Sequence, residues 1–342
     1  MVRHAVVTDK GLVREANEDD CLVAANNGLF VVADGMGGHV AGKVASELCV
    51  RTVSDYFEGK TERGQHLQPG EYNALSQHAL ELAESLLLAN RNIYDESVTN
   101  RKLTGMGTTA VAVRIVGNRV AVAHAGDSRC YLFRDRNLNQ ITVDHSLSNF
   151  LLALGREIEA RYAEQTMSNV IMRALGLEPD VAVDTKEFTA HPGDRLLLCS
   201  DGLSDLVPDA VLAQALLDPG RRPEVITEEL LQHALDGGGR DNVTVLVVDI
   251  LDEAGKMPKS AGRSGFSETL ELPRAALGLD DAALGAGDVR DVDDDTDEVA
   301  AAATGEEAET EEAGLDDTDE TESGGDANDD HDAGTDDTDP PE

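Results

Sequence analysis

Two alternating apolar runs, TTAVAVRIV and RVAVAHAG, meet at Gly117-Asn118, and no other stretch constrains the fold as tightly. Gly and Asn tolerate the positive φ of a short hairpin turn, and a hairpin forces its two strands antiparallel. The same device recurs at Asn26-Asn27-Gly28, between CLVAA and LFVVA. Further strands are expected at Ala5–Val7, in RCYLF and QITVDHS, in VAVDTKEF and DRLLLCSDG, and in the closing NVTVLVVDI. Helical periodicity appears in GKVASELCVRTVSDYF, with apolar residues at 44, 48, 49, 53, 56 and 57, and again over about 73–96. Residues 146–177 read as helix and loop, and 208–217 and 222–235 as helices. The helices thus form one early and one late pair, which is not the strict alternation of a doubly wound sheet. The expectation is an α+β fold: two antiparallel sheets packed face to face with helices outside, a four-layer αββα sandwich.

Charge divides the chain. Residues 1–252 carry 23 basic and 37 acidic side chains, a net of −14, whereas 253–342 carry 5 and 30, a net of −25. The second segment has one Phe, no Tyr and no Ile, too little apolar surface to offset the entropy of ordering it. It reads as a disordered acidic tail behind one folded domain at 1–252. The acidic balance argues against nucleic-acid or anionic-membrane partners. Cys21, Cys49, Cys130 and Cys199 are scattered without a CxxC pair and read as core thiols of a reducing compartment. With no apolar run of membrane-spanning length and no signal-peptide pattern, a cytoplasmic protein is expected.

The chemistry sits in LFVVADGMGGHVAG, residues 29–42, where a buried strand delivers Asp34 into a glycine-rich corner. A nucleotide cradle is one explanation, but Gly35-Met36-Gly37-Gly38-His39-Val40 has Val where the third glycine of a dinucleotide fingerprint belongs. The preceding hairpin also excludes a parallel βαβ unit. Presentation of a carboxylate to a metal is the other explanation, and it predicts acids at further strand ends. They are present: Asp201 after LLLC, Asp241 before VTVLVVDI, and Asp127 in the turn AGDSR. Several carboxylates converging in a cleft repel one another unless an oxygen-preferring divalent cation joins them.

In order, the chain reads GLVREANED, VADGMGGH, GTTA, GDSR, DHS, RALG, CSDGLSD and GGGRDNVTV. This ordered set resembles the metal-dependent (PPM, or type-2C) serine/threonine protein phosphatases in their compact prokaryotic form. The resemblance covers about residues 3–250 and implies a β-sandwich flanked by helix pairs. It implies hydrolysis of phosphoserine and phosphothreonine in proteins by a water between two Mn²⁺ or Mg²⁺ ions. By the same resemblance, Asp34 bridges the two metals, the Gly35 carbonyl binds the second, and Asp201 and Asp241 complete the first. Glu18 and Asp19 hold metal-bound waters, Asp127 with Asp201 takes a weaker third ion, and Arg14 clamps the substrate phosphate. The implied partners are phosphoproteins made by a serine/threonine kinase, and the implied enzyme is a monomer. A phosphatase-like module that binds phosphoproteins without turnover is the alternative.

Two positions depart from the pattern. Met36 stands where many eukaryotic members have a His proposed as general acid, and nearby His39 is not assigned that role, since a His in a glycine corner can simply cap the helix. The segment before RALG lacks the His-Pro usual in bacterial relatives. In the tail, DDTD recurs at 294–297, 316–319 and 336–339, a pattern that low-complexity acidic chain produces readily.

Overall fold

Every strand pairing is antiparallel, as the hairpin turns require. The computed structural model describes residues 1–38, 40–61, 75–167 and 169–258. One sheet has the order β1 (Val2–Asp9), β10 (Val243–Ile250), β9 (Arg195–Cys199), β6 (Arg129–Arg134) and β7 (Asn137–Gln140). The other has the order β2 (Asp20–Ala24), β3 (Leu29–Met36), β4 (Gly107–Val116), β5 (Arg119–Ala125) and β8 (Asp184–Thr189). The early helices are α1 (Val40–Phe57) and α2 (Gln77–Thr99); the late ones are α5 (Asp201–Ser204), α6 (Asp209–Leu216) and α7 (Pro223–Asp236). Between β7 and β8 lie α3 (Leu147–Ala153) and α4 (Glu157–Thr166).

The alternation within each strand explains the layering. Phe30 and Val32 of β3, Val111 and Val113 of β4, and Leu196 and Leu198 of β9 fill the space between the sheets. Their neighbours Leu29, Val31, Ala33, Ala110 and Ala112 face the other way, onto α1 and α2. Leu197, Cys199, Val245 and Val247 likewise face the late helices. A strand buried on both faces reads as an unbroken apolar run, which is why LFVVA shows no polar alternation. The alanines on the helix-facing side of β4 and β5 keep that surface low, so the bulkier side chains of the helices can settle on it.

Three expectations need adjustment. QITVDHS is not a strand: β7 ends at Gln140. Ile141 still donates to the Cys130 carbonyl at 2.8 Å, but the Cys130 amide then meets the Thr142 hydroxyl at 3.2 Å instead of a backbone carbonyl. Asp144 is drawn away to Arg129, which ends the ladder. The second helix starts later than expected, at Gln77, where Ser76 caps the amide of Ala79; residues 73–74 are outside the described residues. The short helix α5 escaped sequence reading because CSDGLSD looks like a turn. Of the acidic tail, residues 259–342 lie outside the described residues, and the described chain closes with a turn in which Asp252 N donates to the Lys256 carbonyl at 2.9 Å.

Candidate metal centre

The acids named above arrive from five different segments at one end of the sandwich. Asp34 lies near the end of β3, Asp201 opens α5 directly after β9, and Asp241 sits two residues before β10. Asp127 lies in the turn between β5 and β6, and Glu18 and Asp19 in the loop before β2. The glycines beside the strand-end acids explain how the loops approach so closely. A Cβ on Gly35 would collide with the Gly42 carbonyl oxygen in the first turn of α1 and lie 2.7 Å from the carbonyl oxygen of Glu18. A Cβ on Gly202 would collide with the carbonyl oxygen of Asn242, next to Asp241. Each Asp-Gly pair therefore does two things: the Asp projects from a rigid strand end, and the Gly admits the backbone of the loop bearing the next acid.

The result is a set of carboxylates facing carboxylates. Asp34 lies within hydrogen-bonding reach of both Asp19 and Asp201, acceptor against acceptor. Burial, reinforced by charge on Asp19, Asp201 and Asp127, holds the Asp34 carboxyl well above the usual carboxylate range. Asp201 is raised likewise, by burial first and then by Asp127 and Asp241. Asp19 and Asp127 are each pushed up to about 6, chiefly by burial. One carboxylate oxygen on each of Asp19, Asp127 and Asp201 is buried without a hydrogen-bond partner. Buried unpaired anionic oxygens are costly, and a divalent cation is the chemistry that satisfies several at once. The donor set is oxygen-only, the preference of Mg²⁺ and Mn²⁺.

Arg14 is half-exposed, and its Nη2 donates to Asp241 Oδ2 at 2.5 Å. The Glu18 side chain lies against Gly42, whose absent Cβ would stand 2.6 Å from Glu18 Oε2. Met36 ends β3, paired with Gly107, and His39 is outside the described residues.

Several supporting residues were not singled out from the sequence. Ser200 and Thr244 both donate to Asp19 Oδ2, at 2.8 and 2.7 Å, and so aim its other oxygen inward. Asn242 accepts the Glu18 amide at 2.8 Å and donates to the carbonyls of Lys10 and Ala16, tying the Glu18 loop to the Asp241 loop. Arg129 grips Asp144 through Nε and Nη2 at 2.9 and 2.7 Å. All four lie in or beside motifs already quoted, but adjacency to a motif does not reveal a partner 181 or 225 residues away.

Among the described residues, ligating atoms also gather at His124, His145 and Asp184. A guanidinium already supplies the positive charge there: Arg173 Nη1 lies 2.6 Å from Asp184 Oδ1 and 2.9 Å from His145 Nε2. His145 Nδ1 accepts from the Gly126 amide at 3.0 Å, so this cluster braces the Asp127 turn.

The family described as Protein phosphatase 2C matches residues 13–234. The chain belongs to the protein phosphatase 2C family. It is 39% identical over 284 residues to the serine/threonine protein phosphatase PstP of Mycobacterium tuberculosis, covering 81% of this chain and 51% of that protein. It thus spans about half the length of that relative. It is 37% identical over 247 residues to the serine/threonine phosphatase stp of Listeria monocytogenes, covering 71% of this chain and 93% of that protein. Among solved structures, the Mycobacterium tuberculosis PstP/Ppp phosphatase superposes with a TM-score of 0.64 at 37% identity, over 73% of this chain and 99% of that one. A structure of the PstP catalytic domain in complex with two manganese ions gives a TM-score of 0.62 with the same coverage and identity.

Proposed function

We propose that this protein phosphatase 2C member hydrolyses phosphoserine and phosphothreonine in proteins with two divalent cations, Mn²⁺ or Mg²⁺. The observation that carries the reading is the trio of buried, unpartnered carboxylate oxygens on Asp19, Asp127 and Asp201, gathered around a raised Asp34. Asp34, the Gly35 carbonyl, Asp201 and Asp241 would hold the two cations, with Glu18 and Asp19 acting through bound water and Asp127 with Asp201 taking a weaker third. When bound, such ions lower the pKa of a coordinated water and neutralise charge on phosphoryl oxygens. The protein's own part is positional. Ser200 and Thr244 fix Asp19, Asn242 fixes the Glu18 and Asp241 loops, and Arg14 moves from Asp241 to the substrate phosphate, where its planar fork matches two oxygens. None of the four cysteines lies among these acids, so no thiol nucleophile is invoked; three are buried and none is paired. Those thiols support a reducing, cytoplasmic setting. We read the domain as residues 1–252, monomeric, with the products of a serine/threonine kinase as its substrates.

The alternative is a module that binds phosphoproteins without turnover. A binding-only domain has no use for carboxylates kept at such cost, which favours the enzyme. Incubating the full chain with a phosphothreonine peptide and Mn²⁺ separates the two: release of inorganic phosphate is expected, and peptide binding without release would overturn the reading.

A further inference from the structure

A cavity of about 760 Å³ opens beside the acids, running from Asp127, Asp201 and Asp241 to Asn149 on α3 and Glu164 on α4. Two arginines line it, Arg129 and Arg240. Arg129 is committed: Asp144 holds it through Nε and Nη2, and its Nη1 donates to the Tyr131 hydroxyl at 2.9 Å. Arg240 is exposed and, among the described residues, has no carboxylate partner. Its backbone is nevertheless fixed. The preceding Gly239 donates to the Ala234 carbonyl at 3.0 Å and accepts from the Leu12 amide at 2.8 Å, and the following Asp241 carries Arg14. An arginine without a carboxylate partner among the described residues thus lines the cavity on a tethered backbone, one residue from the proposed metal ligand Asp241. Arg14 does not line that cavity.

A guanidinium without a partner is suited to a carboxylate or phosphate, which it can engage through two parallel hydrogen bonds. Asp205 and Glu164 line the same cavity and repel anions, so only the substrate residue that reaches Arg240 would benefit from a negative charge. We propose that Arg240 is a specificity residue that reads an anionic side chain, a carboxylate or a second phosphate, close in sequence to the phosphoserine or phosphothreonine. This rests on the phosphatase reading above.

The test uses the full chain with Mn²⁺ and a set of phosphothreonine peptides. Each peptide carries Gln, Glu, Lys or phosphoserine at one of the three positions on either side of the phosphothreonine. At one position the Glu or phosphoserine peptide should show a KM about tenfold below that of the Gln peptide, with kcat little changed. The Glu and phosphoserine arms tell which anion is read, loss from the phosphothreonine being followed separately by mass spectrometry because phosphoserine is itself a substrate on the proposed reading. The preference should fall to near unity in Arg240→Ala, persist in Arg240→Lys, and turn toward the Lys peptide in Arg240→Glu. Because each ratio is taken within one variant, any disturbance of the neighbouring Asp241 cancels. Equal turnover of Glu, phosphoserine and Gln peptides at every position would overturn the assignment, as would a preference that survives Arg240→Ala. Wild-type preference for the Lys peptide would also overturn it, giving the cavity to Asp205 and Glu164. Failure to release phosphate even from the Gln peptide would instead remove the phosphatase reading, and this proposal with it.

Discussion

Asp241 and Arg14 touch in the structure, yet the account gives them separate duties, and substitution separates them. With Asp241 in its proposed role as a metal ligand, removing it would delete a metal oxygen and leave Asp34, Asp201 and Asp19 to repel one another, so Asp241→Ala should lose Mn²⁺ binding and turnover together. Removing Arg14 deletes a phosphate contact while leaving every carboxylate in place. Arg14→Ala should therefore keep Mn²⁺ affinity in calorimetry and raise KM for p-nitrophenyl phosphate. Unchanged Mn²⁺ affinity in Asp241→Ala would contradict its placement as a ligand. At this scale the sequence was informative where the signal is local. Asp34 and Gly35 follow an unmistakable buried strand, and Asp201-Gly202 repeats the design. Ser200, Thr244 and Asn242 were not legible as supports, because a hydroxyl or amide within a strand or turn shows nothing of what it will meet across the fold.

The elements β5 and β8 and the segment preceding α3 meet at the stacked rings of His124 and His145, whose centroids are 4.7 Å apart. Burial, with the neighbouring His145, pushes His124 down to about 4 from an ordinary 6.5. Arg173 and Asp184 pack against the same rings, and Asp184 is held down at about 2: burial raises its carboxyl, but the hydrogen bond from His145 and the charge of Arg173 outweigh that. Between pH 4 and 6.5 the unfolded chain therefore binds a proton at His124 that the native protein does not. Stability from this group is complete above about pH 6.5 and is lost as pH falls toward 4, by at most about 3 kcal/mol. Denaturant melts of wild type and His124→Asn across that range should show a steeper fall for the wild type; parallel curves would contradict the buried neutral imidazole. The succession of strands along the chain, the pairing of β2 with β3 and of β4 with β5, and both helix pairs are legible in hairpin turns and periodicity; the order of strands across each sheet is not. QITVDHS alternates like a strand, yet Thr142 bonds through its side chain and Asp144 answers to Arg129. Local pattern cannot report such competition.

Across the molecule as a whole, negative charge is concentrated toward one end of the chain. Residues 253–342 carry −25 of the total −39. If that segment acts only as a polyanion, a chain ending at residue 258 should hydrolyse p-nitrophenyl phosphate at nearly the full-length rate. The two forms should differ on protein substrates at low salt and converge as screening shortens to ~3 Å at 1 M salt. Loss of small-substrate activity on truncation would make the segment part of the catalytic domain. Whether the crowded carboxylates hold catalytic cations is tested most directly by a metal titration. Protein stripped with EDTA and dialysed should be titrated with Mn²⁺, following heat and phosphate release from a phosphothreonine peptide on the same sample. The account predicts no release at the start, then activity that rises with occupancy and saturates as two tight sites fill. Full phosphate release from the stripped protein, or binding of Mn²⁺ without any gain in rate, would contradict it.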